Sequence, residues 1–144
     1  MPILIAANAL GEGRPARNLV VSPQHRVLLS NAAAELQIGA PEVLVPAKGL
    51  TTLPGIRRMK GKRRITYYHI MLERHALLVS EGSATESFYP GAAGMRMLRP
   101  HQKLQVFRHF PAVETSGSRG YGHTVRPCLT YSETKALASA MKSQ

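Results

Sequence analysis

A hydroxyl and an imidazole three residues apart, Ser22 and His25, stand between two apolar runs, Val20-Val21 and Val27-Leu28-Leu29. The flanking residues are β-branched or aliphatic and read as strand material. Pro23 lacks a backbone N–H, so it cannot continue a ladder and forces a turn or bulge between the two runs. Both polar side chains are thereby carried at a kink on stiff supports. There a hydroxyl and an imidazole can hydrogen-bond and protonate a nearby amide. The plainer account is a self-satisfied turn in which Ser22 bonds locally and His25 ends a strand.

Other residues are weaker candidates. His69 and His75 lie six apart, but no third ligand stands near them at a recognised metal-binding spacing. We therefore expect no metal and no other cofactor. Cys128 is the only cysteine, which excludes an intrachain disulfide and a cysteine-built zinc site. Between Arg57 and Arg64, six of eight positions are basic, namely Arg57, Arg58, Lys60, Lys62, Arg63 and Arg64. With Gly61 in the middle, the run reads as a hairpin tip, either plainly solvated or a finger for phosphate backbones.

The composition bounds these readings. The chain has 144 residues and 44% hydrophobic content, enough for one domain with an appendage. Tryptophan is absent and aromatics make up only 6%, so the core must be aliphatic. No run of eighteen apolar residues occurs, so no membrane-spanning helix is expected. Residues Met1–Leu10 are too short and lack the basic start of a signal peptide. A cytoplasmic chain and a piece of a larger secreted protein both fit. Nineteen Lys and Arg face eight acids, all Glu, for a net charge of +11. That charge attracts nucleic acids and other anionic surfaces and opposes self-association.

Taken in order, the pattern is of short runs bounded by turns. Ile3–Ile5, Asn18–Val21, Val27–Leu29 and Val43–Val45 read as strands, the last ended by Pro46. Ser30-Asn31 reads as a hairpin tip, and Ala32–Leu36 as a returning strand or a single turn despite its helical propensity. Ile65–Leu72 gives the strongest alternation, with Tyr68, Ile70 and Leu72 on one face. Glu73-Arg74-His75 would then turn it back into a strand at Ala76–Val79. Pro90-Gly91 closes this β part. Beyond it, Arg99-Pro100 and Phe110-Pro111 bracket a helix at His101–His109. The residues from Thr115 to Gly122 form a flexible loop, and Ser132 would cap a final helix at Glu133–Met141. Helix is thus expected only after residue 92. The domain division is 1–91 for the β part and 92–144 for the extension.

The turn segment resembles the T-x-x-H block of Hedgehog/intein (Hint) domains, with Ser22 in place of the usual Thr. The ordered series Leu19–Leu29, Val43–Leu50 and Ile65–Gly91 resembles a bacterial subgroup of that family, and Ile3–Leu10 and Arg14–Leu19 fit it as well. The likeness covers residues 2–91, with looser echoes at Gly120-Tyr121-Gly122 and Arg126-Pro127. It implies a mainly β, twisted horseshoe fold, incomplete here, with a short helical C-terminal extension. It also implies an ancestry in self-cleavage and protein splicing, with His25 as acid and Ser22 as the orienting hydroxyl.

The departures from the family pattern shape the functional expectation. In Hint domains a first-position Cys or Ser and a Gly-Asp turn precede the segment matched here. The resemblance therefore implies a C-terminal part of the domain, inactive without a partner N-terminal Hint segment. Where an intein ends in His-Asn, Glu86 and Ser87 stand here, and neither can form a succinimide. The alternative is a small basic β protein that binds nucleic acid through Arg57–Arg64. That reading calls for aromatics interleaved with charge, and only Tyr67 and Tyr68 lie near. Looser still is a metal-dependent hydrolase built on His25, His69 and His75.

Overall fold

The computed structural model describes residues 1–61 and 65–142. Among the described residues, seven short strands come in chain order: β1 (Ile3–Ile5), β2 (Leu19–Val21), β3 (Arg26–Ser30), β4 (Glu42–Pro46), β5 (Ile56–Arg58), β6 (Leu77–Ser80) and β7 (Ser83–Glu86). Among the same residues, five helices accompany them: α1 (Ala32–Ile38), α2 (Ala92–Met97), α3 (Pro100–His109), α4 (Pro111–Ser116) and α5 (Tyr131–Lys142). The strands form two antiparallel sheets, one ordered β2-β1-β5 and the other β4-β3-β7-β6. The expected β-sheet character is present, although the helices hold more residues than the strands.

The chain divides into two compact units. The first comprises Met1–Tyr68, Leu77–Glu86 and the stretch from Arg126 onward; the second comprises His69–Ala76 and Ser87–Val125. The core of the first unit is aliphatic. Ile3, Ile5, Val27, Val43, Val45, Leu50 and Leu137 are completely shielded from solvent. Leu129 N–H donates to Leu44 O at 2.9 Å and Leu44 N–H to Pro127 O at 2.8 Å, so residues 127–129 line the outer edge of β4. Helix α5 then lays Leu137 and Ala138 into the same core.

The structure departs from several local expectations. Residues Ala32–Ile38 are a helix, not a strand or a single turn. Asn31 is not a hairpin tip; its side chain accepts from Ala34 N–H at 2.8 Å and caps that helix. Gly39, at φ 80°, closes the other end with its N–H on Glu35 O. Good alanine propensity with a cap at each end outweighed the β surroundings, so helix is not confined to the chain beyond residue 92. The N-cap of α5 is Thr130 rather than Ser132. Thr130 Oγ1 accepts from Glu133 N–H at 3.2 Å while Glu133 Oε1 accepts from Thr130 N–H at 2.9 Å, a reciprocal capping box. Helix α3 lies where its bracketing prolines placed it, but the stretch from Thr115 to Gly122 is not the expected loop: α4 runs to Ser116 and a 3-10 turn follows at Gly117–Gly120.

The largest correction concerns Ile65–Leu72, which forms no strand. Strand β6 pairs instead with β7, from Leu77↔Glu86 to Ser80↔Ser83. The two-residue turn between them, Glu81-Gly82, has φ of 49° and 83°. Left-handed residues at both central positions suit a tight hairpin, because they match the twist of the strands. That hairpin takes β6, the segment expected to pair with Ile65–Leu72. The alternating side chains Tyr68 and Ile70 are left 84% and 56% exposed. The basic run is described only in its first part. Arg57 and Arg58 lie on β5, paired with Leu4 and Ile3 of β1. Lys62, Arg63 and Arg64 lie outside the described residues.

In the second unit, aromatic rings meet edge-on. The contacts are His69 with Phe88, His75 with Tyr89, Tyr89 with Tyr121, and Phe110 with Tyr121. Phe88 N–H donates to Ile70 O at 2.7 Å, and the Tyr121 hydroxyl donates to Leu72 O. These bonds hold the irregular 69–76 segment in place of a ladder.

Candidate functional site

Strand β2 belongs to one sheet and β3 to the other, so Ser22-Pro23-Gln24-His25 is where the chain passes between the two sheets of the first unit. The four residues form a β-turn, with His25 N–H donating to Ser22 O at 3.1 Å. Pro23 occupies the second position, where its fixed φ suits the turn.

The backbone of this turn is tied on several sides. The segment Ala47–Leu50, a single 3-10 turn after β4, supplies two donors. Ala47 N–H bonds His25 O at 2.9 Å, and Lys48 N–H bonds Pro23 O at 3.0 Å. The next amide, Arg26 N–H, donates to Glu86 Oε2 at 3.0 Å, while Arg26 Nη1 lies 3.3 Å from Glu86 Oε1. One carboxylate at the end of β7 therefore fixes both the main chain and the side chain of the residue after His25. The 3-10 turn is itself braced by α5. A Cβ on Gly49 would fall 2.5 Å from Thr134 Cγ2, a separation only glycine can accommodate.

Against this fixed backbone, the side chains are enclosed. Ser22 is 7% exposed, and its Oγ has no hydrogen-bond partner among the described residues. The Nε2 of His25 is shielded from solvent as well. An unpartnered buried hydroxyl is costly, so it needs an explanation such as a ligand group that completes it. Ser83, beside the β6–β7 turn, is in the same condition.

The other candidates are placed elsewhere. His75 is buried in the second unit, where its Nδ1 accepts from Val125 N–H at 2.9 Å. Burial holds the His69 imidazole below its ordinary value of 6.5. Among the described residues, no group of three or more His, Cys, Asp or Glu side chains could hold a metal ion. Ser87 Oγ accepts from Ala76 N–H at 2.9 Å, and Ser87 N–H donates to Ala76 O at 2.8 Å. Cys128 contacts Arg126 O through its thiol at 3.5 Å. Arg57 and Lys60 are exposed, and Arg58 is half-buried. No helix among the described residues is long and apolar enough to cross a membrane.

Sequence reasoning missed Glu86 and the 3-10 turn as supports of the site. Glu86 lies sixty residues from Arg26, and no local pattern announces such a tie.

A family model of the Hint domain matches residues 1–92, which include both sheets and the Ser22–His25 turn, and the chain belongs to that family. Comparison with curated proteins and with solved structures returned no match.

Proposed function

We propose that this chain carries the proton-donating part of a peptide-cleaving autoprocessing site, with His25 as the acid and Ser22 as the orienting hydroxyl. In the reaction, a thiolate attacks the carbonyl carbon of the scissile bond. A C–S bond forms and the C–N bond breaks. The departing nitrogen takes its proton from the His25 imidazolium, leaving a free amine and a thioester. The Ser22 hydroxyl holds the scissile amide in line. The attacking Cys is supplied by a separate Cys-led segment acting as a partner of this chain. The Cys128 thiol takes no part.

The observation that carries this reading is the buried Oγ of Ser22, unpartnered among the described residues, on a turn whose backbone is tied by the 3-10 turn and by Glu86 of β7. A backbone amide entering the site would satisfy that hydroxyl. The reading is tested by mixing the chain with a Cys-led N-terminal Hint segment and adding dithiothreitol. Cleavage at that Cys is expected in the mixture and not with the chain alone. A mixture that forms a complex yet never cleaves would contradict the reading, as would thiol-dependent cleavage of the isolated chain.

A further inference from the structure

Two ammonium groups converge on one exposed tyrosine in the first unit. Lys48 Nζ lies 4.9 Å from the centroid of the Tyr131 ring, and Lys135 Nζ lies 5.3 Å from it. Both pairings are cation–π contacts, attractive in themselves. Together they bring two like charges to a single side chain. Neither ammonium has a carboxylate partner among the described residues. Glu133, the acid nearest in sequence, has its Oε1 on Thr130 N–H in the capping box.

The cluster is held by rigid elements. Tyr131 and Lys135 stand four apart on α5, one turn of the same helix face. Lys48 comes from the 3-10 turn, which Gly49 presses directly against Thr134. Thr134 is fully buried, and its hydroxyl donates to Thr130 O at 2.7 Å. The backbone positions from which the two lysines extend are thus set by the packing of two elements. Each ammonium lies within about one ring's reach of the same tyrosine, and an anion bound beside that ring would be attracted by both.

We propose that Lys48, Lys135 and Tyr131 form a binding site for a small dianionic oxyanion, a phosphate or a phosphate monoester. Two ammoniums match the charge of a dianion, whereas a carboxylate would neutralise only one of them. Each ammonium keeps N–H groups pointing away from the ring, and phosphate has enough oxygens to accept from both. The Tyr131 hydroxyl adds a further donor. The site is separate from Ser22 and His25 in its chemistry and stands whether or not the chain cleaves peptides. Its one link to that turn is the bond from Lys48 N–H to Pro23 O.

The test is an NMR titration of the full chain with inorganic phosphate above pH 7 at low ionic strength, following the Tyr131 ring and the lysine side chains. Saturable shifts are expected at Tyr131, Lys48 and Lys135. Lys48→Gln and Lys135→Gln should each weaken binding by about tenfold, the scale of losing a hydrogen bond to a charged group. Lys60→Gln, an exposed lysine elsewhere, should leave it unchanged. Acetate at equal ionic strength should bind far more weakly. Phenyl phosphate should bind as phosphate does if monoesters are accepted. Equal responses at all lysines, no effect of Lys48→Gln in a variant that retains its melting temperature, or acetate binding as well as phosphate would overturn the proposal.

Discussion

The first unit and the second unit are held together by different physics. The first is closed by aliphatic burial, with strand, 3-10 turn and α5 side chains sharing one core. In the second, edge-on rings and single hydrogen bonds accompany only a few buried apolar side chains, Phe88, Leu98 and Val113, and its longest helix, α3, has no buried residue. Their histidines differ in the same way. His25 alone belongs to the first unit, while His69, His75, His101, His109 and His123 belong to the second. Aliphatic packing is non-directional and strong in sum, and it suits a scaffold that must hold one polar turn still. Ring contacts and lone bonds to main-chain groups are weaker, and they respond to protonation.

This contrast can be broken by substitution. Leu50→Ala, in the fully buried core of the first unit, should cost about 2–5 kcal/mol. The cost would be read from the denaturant midpoint; a loss within a few tenths of a kcal/mol would show that burial is not what closes the unit. Gly49→Ala should cost about 1–3 kcal/mol by overpacking against Thr134. Because Ala47 and Lys48 bind the turn, it should also shift the amide resonances of Pro23's neighbours and His25. Unchanged stability would mean that α5 yields freely and does not brace the turn.

The smallest effect belongs to the second unit and depends on pH. Burial depresses the folded-state pKa of His69 below 6.5, so the unfolded chain takes up that proton first. The His69 contribution is whole above 6.5, shrinks as the pH falls below it, and levels off once the pH passes the depressed folded value. Hydrogen exchange at Phe88 N–H, which bonds Ile70 O beside this ring, should therefore quicken on mild acidification relative to the amides of β3. In His69→Phe that extra acid sensitivity should vanish. Its persistence would move the pH response to another group.

Much of the first unit was legible because its signals are local. Pro46 ends β4, Pro23 makes the turn, and the apolar runs at Ile3 and Val43 are too short to be anything but strands in a packed core. Helix α1 carries its signals openly in Asn31 and Gly39, and two caps on an alanine-rich segment outweigh a β context. Ile65–Leu72 fails for the opposite reason. Its alternation is a true local preference, but the pairing partner is decided by the Glu81-Gly82 turn, which closes β6 onto β7. The turn at Ser22–His25 was visible from Pro23 between two apolar runs. Its supports were not, because Glu86 and Ala47 reach the turn only after the second sheet has formed, and long-range ties leave no periodic trace.

The central claim is that the Ser22–His25 turn receives a peptide bond and protonates its nitrogen. It is tested most directly by the rate of amide-to-thioester conversion in the chain reconstituted with a Cys-led segment, compared among His25→Ala, Ser22→Ala and Cys128→Ala at matched complex concentration. We expect His25→Ala to slow the step by about 10²–10⁴-fold, the usual scale for a positioned acid. Ser22→Ala should slow it less, and Cys128→Ala should leave it unchanged. A reconstituted complex that cleaves at the parent rate with His25→Ala would remove the turn from the chemistry.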